Sequence, residues 1–199
     1  MKTRKAINTP GHAHELTFSC YRRLPLLARD RTRNWLIDSL DTARARHDHA
    51  LWAYVIMPEH AHVIVKPRNP DYQIQALCKT FKQSVSRRAL AWLRDHDPAF
   101  LEKLAGEWTT LPSKGATDKQ SLSVPHQPNR RRRHHFWQPG GGYDRNIDDP
   151  RTLMRMIDYL HANPVRRDLV ESPTDWPWSS ARQYAGMDGV LLKMDQPRI

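Results

Sequence analysis

From Met57 to Val65 the chain runs Met-Pro-Glu-His-Ala-His-Val-Ile-Val. Past Pro58-Glu59 it alternates with the period of a β-strand, and that alternation sets two faces. Ala61, Val63 and Val65 form an apolar face that calls for burial. His60 and His62 lie on the opposite face, with Ile64 next along. A strand holds its side chains at a rigid pitch, so two imidazoles two residues apart stay close together. Such a pair either shares one metal ion or forms hydrogen bonds at the surface. The chain has three His-x-His pairs, His12/His14, His47/His49 and His60/His62, against roughly 0.6 expected by chance from its histidine content. The first falls in a Pro-Gly-led segment before the first strand, and the second where a polar helix ends. Only the third sits in an apolar strand, where each outward histidine needs a partner or a cleft.

The segments around this strand set the fold. A first strand over 14–21 puts Leu16, Phe18 and Cys20 on one face. Trp35, Leu36, Leu40 and Ala43 recur at helical spacing after Asp30. A second strand over 51–57 joins the histidine strand through Pro58-Glu59 as a hairpin. Asn69-Pro70-Asp71 starts a second helix, whose stripe is Ile74, Leu77, Phe81 and Val85 and which reaches Arg94. A fourth strand is expected within 136–147. The order predicts an α+β, ferredoxin-like β-α-β-β-α-β fold with an antiparallel sheet. An extra C-terminal helix comes next, with Asp148 or Asp149 as cap, Pro150 at its first position and a stripe of Leu153, Met156, Ile157 and Leu160. We expect one domain over 1–184 and a C-terminal tail over 185–199. Between 106 and 135, Ser, Thr, Pro, Gln, Lys and Gly dominate, and the stretch ends in Arg130, Arg131, Arg132 and Arg133. It is expected to be a flexible basic insertion. The arginines are either a solvated loop or an arm that orders on phosphates.

With 32 Lys and Arg against 21 Asp and Glu, the net charge is +11. That calls for a polyanionic partner, nucleic acid first. A membrane surface fits less well, since no helix sets a wide apolar face against a lysine-rich one. No run approaches a membrane span. Cys20 and Cys78 fit neither a disulfide framework nor a zinc pattern, which makes them core residues of a protein from a reducing compartment. The N-terminus lacks the apolar stretch of a signal peptide, so the expected location is the cytoplasm.

Tyr159 and Asn163 lie four residues apart on the last helix, hence on one face, about 6 Å from each other. Pro164 should end the helix at Asn163. Taken singly, Tyr159 is as well explained as a tyrosine at a helix–sheet boundary, and Asn163 as a C-cap. If their face meets the histidine face, two imidazoles and an amide oxygen surround one position, with a phenol beside it. That donor set suits magnesium or manganese once a phosphate adds oxygens. The phenol would then attack in line and form a phosphotyrosine.

Several blocks carry a resemblance. Met57 to Val65 resembles the His-hydrophobe-His signature of single-tyrosine HUH transposases. Phe136-Trp137-Gln138, Tyr143-Asp144-Arg145, Tyr159-Leu160-His161-Ala162-Asn163-Pro164-Val165-Arg166 and Trp176-Pro177-Trp178-Ser179-Ser180 resemble, in this order, the REP-associated tyrosine transposase branch. The resemblance spans 14–184. It implies that His60, His62 and Asn163 bind the metal and that Tyr159 is the nucleophile. It also implies cleavage and rejoining of single-stranded hairpin DNA through a 5′-phosphotyrosine, by a monomer or homodimer that joins the nucleoid when bound. Arg166 and Arg167 are candidate phosphate contacts or plain surface charge, and Trp176 and Trp178 either stack on unpaired bases or pin the tail onto the domain. The chain departs from the pattern at Glu59, in the long insertion and at Pro139-Gly140-Gly141-Gly142. Rival expectations are a domesticated, non-catalytic hairpin DNA or RNA binder, a metal-dependent nuclease using water, and a replication initiator. Tyr143 is the fallback nucleophile.

Overall fold

A computed structural model describes residues 8–110, 130–140 and 142–197. The hairpin of β2 (His49–Ile56) and β3 (His60–Pro67) forms one side of a sheet ordered β2-β3-β1-β6, with β1 at Ala13–Ser19 and β6 at Tyr143–Ile147. All three pairings are antiparallel. Helices α1 (Asp30–Arg46) and α2 (Ile74–His96) connect the strands in the expected ferredoxin-like order. Leu16, Phe18, Ala61, Val63 and Val65 face these helices and share a core with Leu36, Leu40, Leu77, Phe81 and Val85. The other sheet face is covered by α4 (Pro150–His161), whose Leu153, Ile157 and Leu160 pack on Ala53, Val55 and Ile64. Burying a side chain such as Ile157 contributes about 1.5–3 kcal/mol. The sheet is therefore closed on both faces, and every residue of β2 is buried.

Helix α4 starts where its sequence dictates. Asp149 accepts a hydrogen bond from the Thr152 amide at 2.6 Å, and Pro150 sits in the first turn, where its missing N–H costs nothing. Its end differs from expectation. α4 stops at His161, and Asn163 opens a further short helix, α5 (Asn163–Arg166), instead of closing α4. Pro164 breaks the ladder of α4 but suits the first turn of α5.

The edge of β2 is not left open. Ile56 N donates to Trp178 O at 2.8 Å, and Ser180 N donates to Tyr54 O at 3.0 Å. The segment 176–180 thus covers the backbone of an edge strand that would otherwise invite foreign strands. A last short helix, α6 (Ala181–Tyr184), closes the series. The stretch expected as a tail does not stand apart. Leu192 and Met194 are buried in the main core, and Asp195 N donates to Leu51 O.

The insertion also differs from expectation. After α3 (Pro98–Lys103), its ends form an antiparallel pair, β4 (Ala105–Thr110) and β5 (Arg130–His134). The arginine run is therefore a strand rather than a loop at this end; the middle, 111–129, lies outside the described residues. The expected strand over 136–147 begins only at Tyr143. Before it, Phe136 and Trp137 plug the core, with Trp137 Nε1 donating to Lys82 O. Gly142 lies at φ +77, and a Cβ there would meet Thr17 O at 2.5 Å, so only glycine fits where the chain turns into β6.

In the first two His-x-His pairs, His14 and His47 hydrogen-bond to side chains away from the cleft. His14 is fully buried between Asp144 (2.7 Å) and the Tyr72 hydroxyl (2.6 Å). His47 reaches Thr80 at 2.7 Å.

Candidate active site

The β1–β3 register sets Thr17 opposite His62 and Ser19 opposite His60. Helices α4 and α5 lie over this end of the sheet. The result is a cleft of about 440 Å³ that brings together His60, His62, Tyr159, Asn163, Arg166 and Arg167, with Thr17, Ser19 and Arg23 completing its wall. Every residue expected to act in catalysis or as a ligand lines it. Tyr143 does not.

The two imidazoles point their outer nitrogens at each other, with His60 Nε2 and His62 Nε2 3.1 Å apart. His60 Nδ1 lies 3.1 Å from Glu59 Oε1, and His62 Nδ1 lies 2.8 Å from Thr17 Oγ1. Burial raises the Glu59 carboxyl, but His60 and Arg167 outweigh it and hold Glu59 below its ordinary pKa. An ionised carboxylate only accepts, so His60 Nδ1 donates to it and Nε2 keeps its lone pair. The Thr17 hydroxyl can accept in the same way from His62, which turns the second lone pair to the same point. Two acceptor nitrogens this close need a proton or a cation between them. Burial lowers the pKa of His60, against the opposing pull of Glu59. Burial, then the charge of His60, brings His62 down to about 4. Both imidazoles are therefore neutral near pH 7, the form that ligates metal.

Tyr159 is 46 % exposed, and the Arg166 guanidinium stands 4.8 Å over its ring. Asn163 Nδ2 donates to the Tyr159 and Leu160 carbonyls at 3.0 and 3.2 Å. That ties up the nitrogen end of the amide and orients its oxygen end. Arg167 pairs with Glu59 at 2.9 Å, which joins α5 to the turn that carries the histidines. Among the described residues no three His, Cys, Asp or Glu side chains converge on a metal position. The donor set here is two imidazoles and one amide, with room for other oxygens.

Trp176, Trp178, Arg132 and Arg133 do not line this cleft. Trp178 is only 8 % exposed and belongs to the core, while Trp176 Nε1 donates to Ile56 O at 3.0 Å. The Arg33 guanidinium lies 5.0 and 5.3 Å over the two rings. These tryptophans fasten the C-terminal segment to the sheet, Trp178 buried and Trp176 partly buried. Arg132 and Arg133 are exposed on β5, with Arg132 3.6 Å from Glu102, and the side chains of Arg130 and Arg131 lie outside the described residues.

Three contributors escaped the sequence: Thr17, Glu15, whose carboxylate lies 3.9 Å from His62 Nδ1, and Arg23. The first two alternate with Leu16 and Phe18, so their polar face was visible; what it faced was not. Arg22 and Arg23 both lie at φ +53. Non-glycine residues there cost about 1–3 kcal/mol each and persist only where the surroundings fix them. Here Cys20 N bonds to Glu59 O, Tyr21 N to Phe136 O and Arg22 N to Gln138 Oε1.

Fold and cleft define a ferredoxin-like domain that carries a tyrosine on an added helix, across from a histidine pair on the sheet. No protein-family model matches the chain, and no curated protein matches it in sequence. Among solved structures it is similar, over 100% of its own length and 95% of the other chain, to a REP-associated tyrosine transposase bound to a REP hairpin, with TM-score 0.64 and 18% identity. A candidate transposase from Deinococcus radiodurans R1 is also similar, over 80% of this chain and 95% of that one, with TM-score 0.43 and 16% identity. At 18% identity what the first comparison establishes is the fold: this chain folds as that REP-associated tyrosine transposase does. No helix among the described residues is long and apolar enough to cross a membrane.

Proposed function

We propose that the protein is a metal-dependent transposase that binds hairpin-forming single-stranded DNA and cleaves and rejoins it through Tyr159. The observation that carries this is the convergence of His60, His62, Tyr159 and Asn163, from segments a hundred residues apart in sequence, in one cleft. The matched fold belongs to a protein solved on a REP hairpin, and the net charge of +11 suits such a ligand.

His60 Nε2, His62 Nε2 and the Asn163 amide oxygen would hold magnesium or manganese, which when bound supplies charge to polarise the scissile phosphate. Glu59 and Thr17 keep the two imidazoles oriented. Tyr159 Oη attacks phosphorus; its bond to phosphorus forms as the bond from phosphorus to the 3′ oxygen breaks. The phenol proton leaves to water in the open cleft, and the departing 3′ oxygen is protonated from water. The 5′ phosphate stays on Tyr159. In rejoining, a 3′ hydroxyl attacks that phosphate and releases the phenol, so the phosphodiester needs no external energy source. Arg166, over the Tyr159 ring, favours the phenolate as it forms.

The test is incubation with end-labelled hairpins from repeats flanking the gene, with magnesium or manganese, beside Tyr159→Phe. A metal-dependent labelled adduct that vanishes in Tyr159→Phe is expected. Cleavage without an adduct would establish a nuclease using water. Tight binding without cleavage would leave a DNA-binding module.

A further inference from the structure

Three arginines line the cleft, and two are engaged. Arg167 pairs with Glu59, and Arg166 covers the Tyr159 ring. Arg23 has no ion-pair, hydrogen-bond or aromatic partner for its guanidinium among the described residues, yet it lines the same wall as His60.

The backbone adds a second observation. Arg22 and Arg23 occupy the left-handed region in succession, where glycine or asparagine would be comfortable. The turn is anchored to the catalytic hairpin, because Cys20 N bonds to the carbonyl of Glu59 and Leu27 N to that of Pro58. Arg22 rests over the Tyr21 ring at 4.9 Å. Arg23 N donates to Cys20 O at 3.0 Å, so the backbone of the turn is held while the side chain stays exposed. A strained residue held this firmly, with an unpaired fork of donors in a cleft, marks a site for an oxyanion.

We propose that Arg23 is a catalytic residue that donates to a non-bridging oxygen of the scissile phosphate. This rests on the strand-transfer reading above. The added negative charge on that oxygen, as the Tyr159 oxygen bonds to phosphorus and the 3′ oxygen leaves, is what the guanidinium stabilises. No proton is transferred by Arg23.

Arg23→Gly and Arg23→Asn separate this role from a structural one. Both relieve the left-handed backbone, so the melting temperature should hold or rise. Single-turnover adduct formation should fall by about 10²–10³-fold, with hairpin binding changed far less. On the methylphosphonate isomer whose methyl group replaces the oxygen facing Arg23, wild type and Arg23→Gly should become equally slow. Adduct formation by both variants at the wild-type rate would overturn the proposal. So would an equal loss on the phosphate and on both methylphosphonate isomers, which marks a structural effect. If the wild type itself forms no Tyr159 adduct, strand transfer fails and the Arg23 role falls with it; if only the variants behave unexpectedly, strand transfer stands and Arg23 alone is refuted.

Discussion

At the scale of single residues, the histidine pair depends on what holds its inner nitrogens. His60 leans on a carboxylate and His62 on a hydroxyl. The hydroxyl is the weaker support, but it is the one that can switch between donating and accepting. Thr17→Val keeps the shape and removes the acceptor. His62 then loses the partner that turns its Nε2 lone pair toward His60. Groups that orient metal ligands in this way are worth about 10–100-fold in affinity. We expect Thr17→Val to weaken manganese binding by about that factor, measured by calorimetry on the protein without DNA, with an unchanged melting temperature in chelator. Manganese binding at wild-type strength would show that Thr17 is a bystander. The four residues expected to act in catalysis were legible because each sits in a strong local pattern: His60 and His62 on an alternating strand, Tyr159 and Asn163 four apart on a capped helix. Thr17 and Arg23 were not. Their places at the cleft come from the β1–β3 register and from a turn folded back onto Glu59, and neither is encoded nearby in sequence.

At the scale of elements, α4 carries Tyr159, so its docking decides whether the cleft exists. Its stripe and its Asp149 cap were plain in the sequence, and its N-terminus lies where they placed it. Its C-terminus is pinned by a contact between distant segments, His161 Nε2 to Ser180 Oγ at 2.8 Å. Burial brings His161 down to about 4 from an ordinary 6.5. Above pH 6.5 neither folded nor unfolded chains protonate this group. Below it the unfolded chain takes a proton that the folded one refuses, so stability falls as pH drops toward 4. Between pH 7 and pH 5 this one group removes up to about 2 kcal/mol. His161→Gln keeps a polar partner for Ser180 and does not titrate. In urea denaturation it should lose less stability than wild type between those pH values. Equal losses would mean that His161 is solvated. The same nonlocal logic hid the role of Trp176 and Trp178. An aromatic residue beside proline fits a base stack or an anchor equally well, and only the exposed edge of β2 decides between them. β4 and β5 were hidden because short polar strands carry no apolar period, and their pairing joins segments far apart in the chain.

At the scale of the whole molecule, the proposed binding of DNA would draw on the charge of +11 at more than the cleft. Three arginines line the cleft, and Arg167 is partly neutralised by Glu59. Most of the excess lies elsewhere, and the densest run is Arg130 to Arg133 on β5. A hairpin is long compared with one cleft, so its stem can lie against a second basic surface while its single-stranded end enters the first. Arg133 is exposed there, on the strand that leads to Phe136 and Trp137 in the core. If it neutralises a phosphate, binding loses one released counterion when it is removed. Arg133→Ala should then lower the slope of log affinity against log salt by about 1, with affinity reduced across all hairpin sequences alike. The rate of adduct formation at saturating DNA should not change, because no residue of the cleft is touched. A salt titration by fluorescence anisotropy reads the slope, and single-turnover cleavage reads the rate. An unchanged slope would assign the arginine strand to the solvent. A slower reaction at saturation would show that Arg133 acts on the reaction itself and would overturn its assignment to the stem of the hairpin.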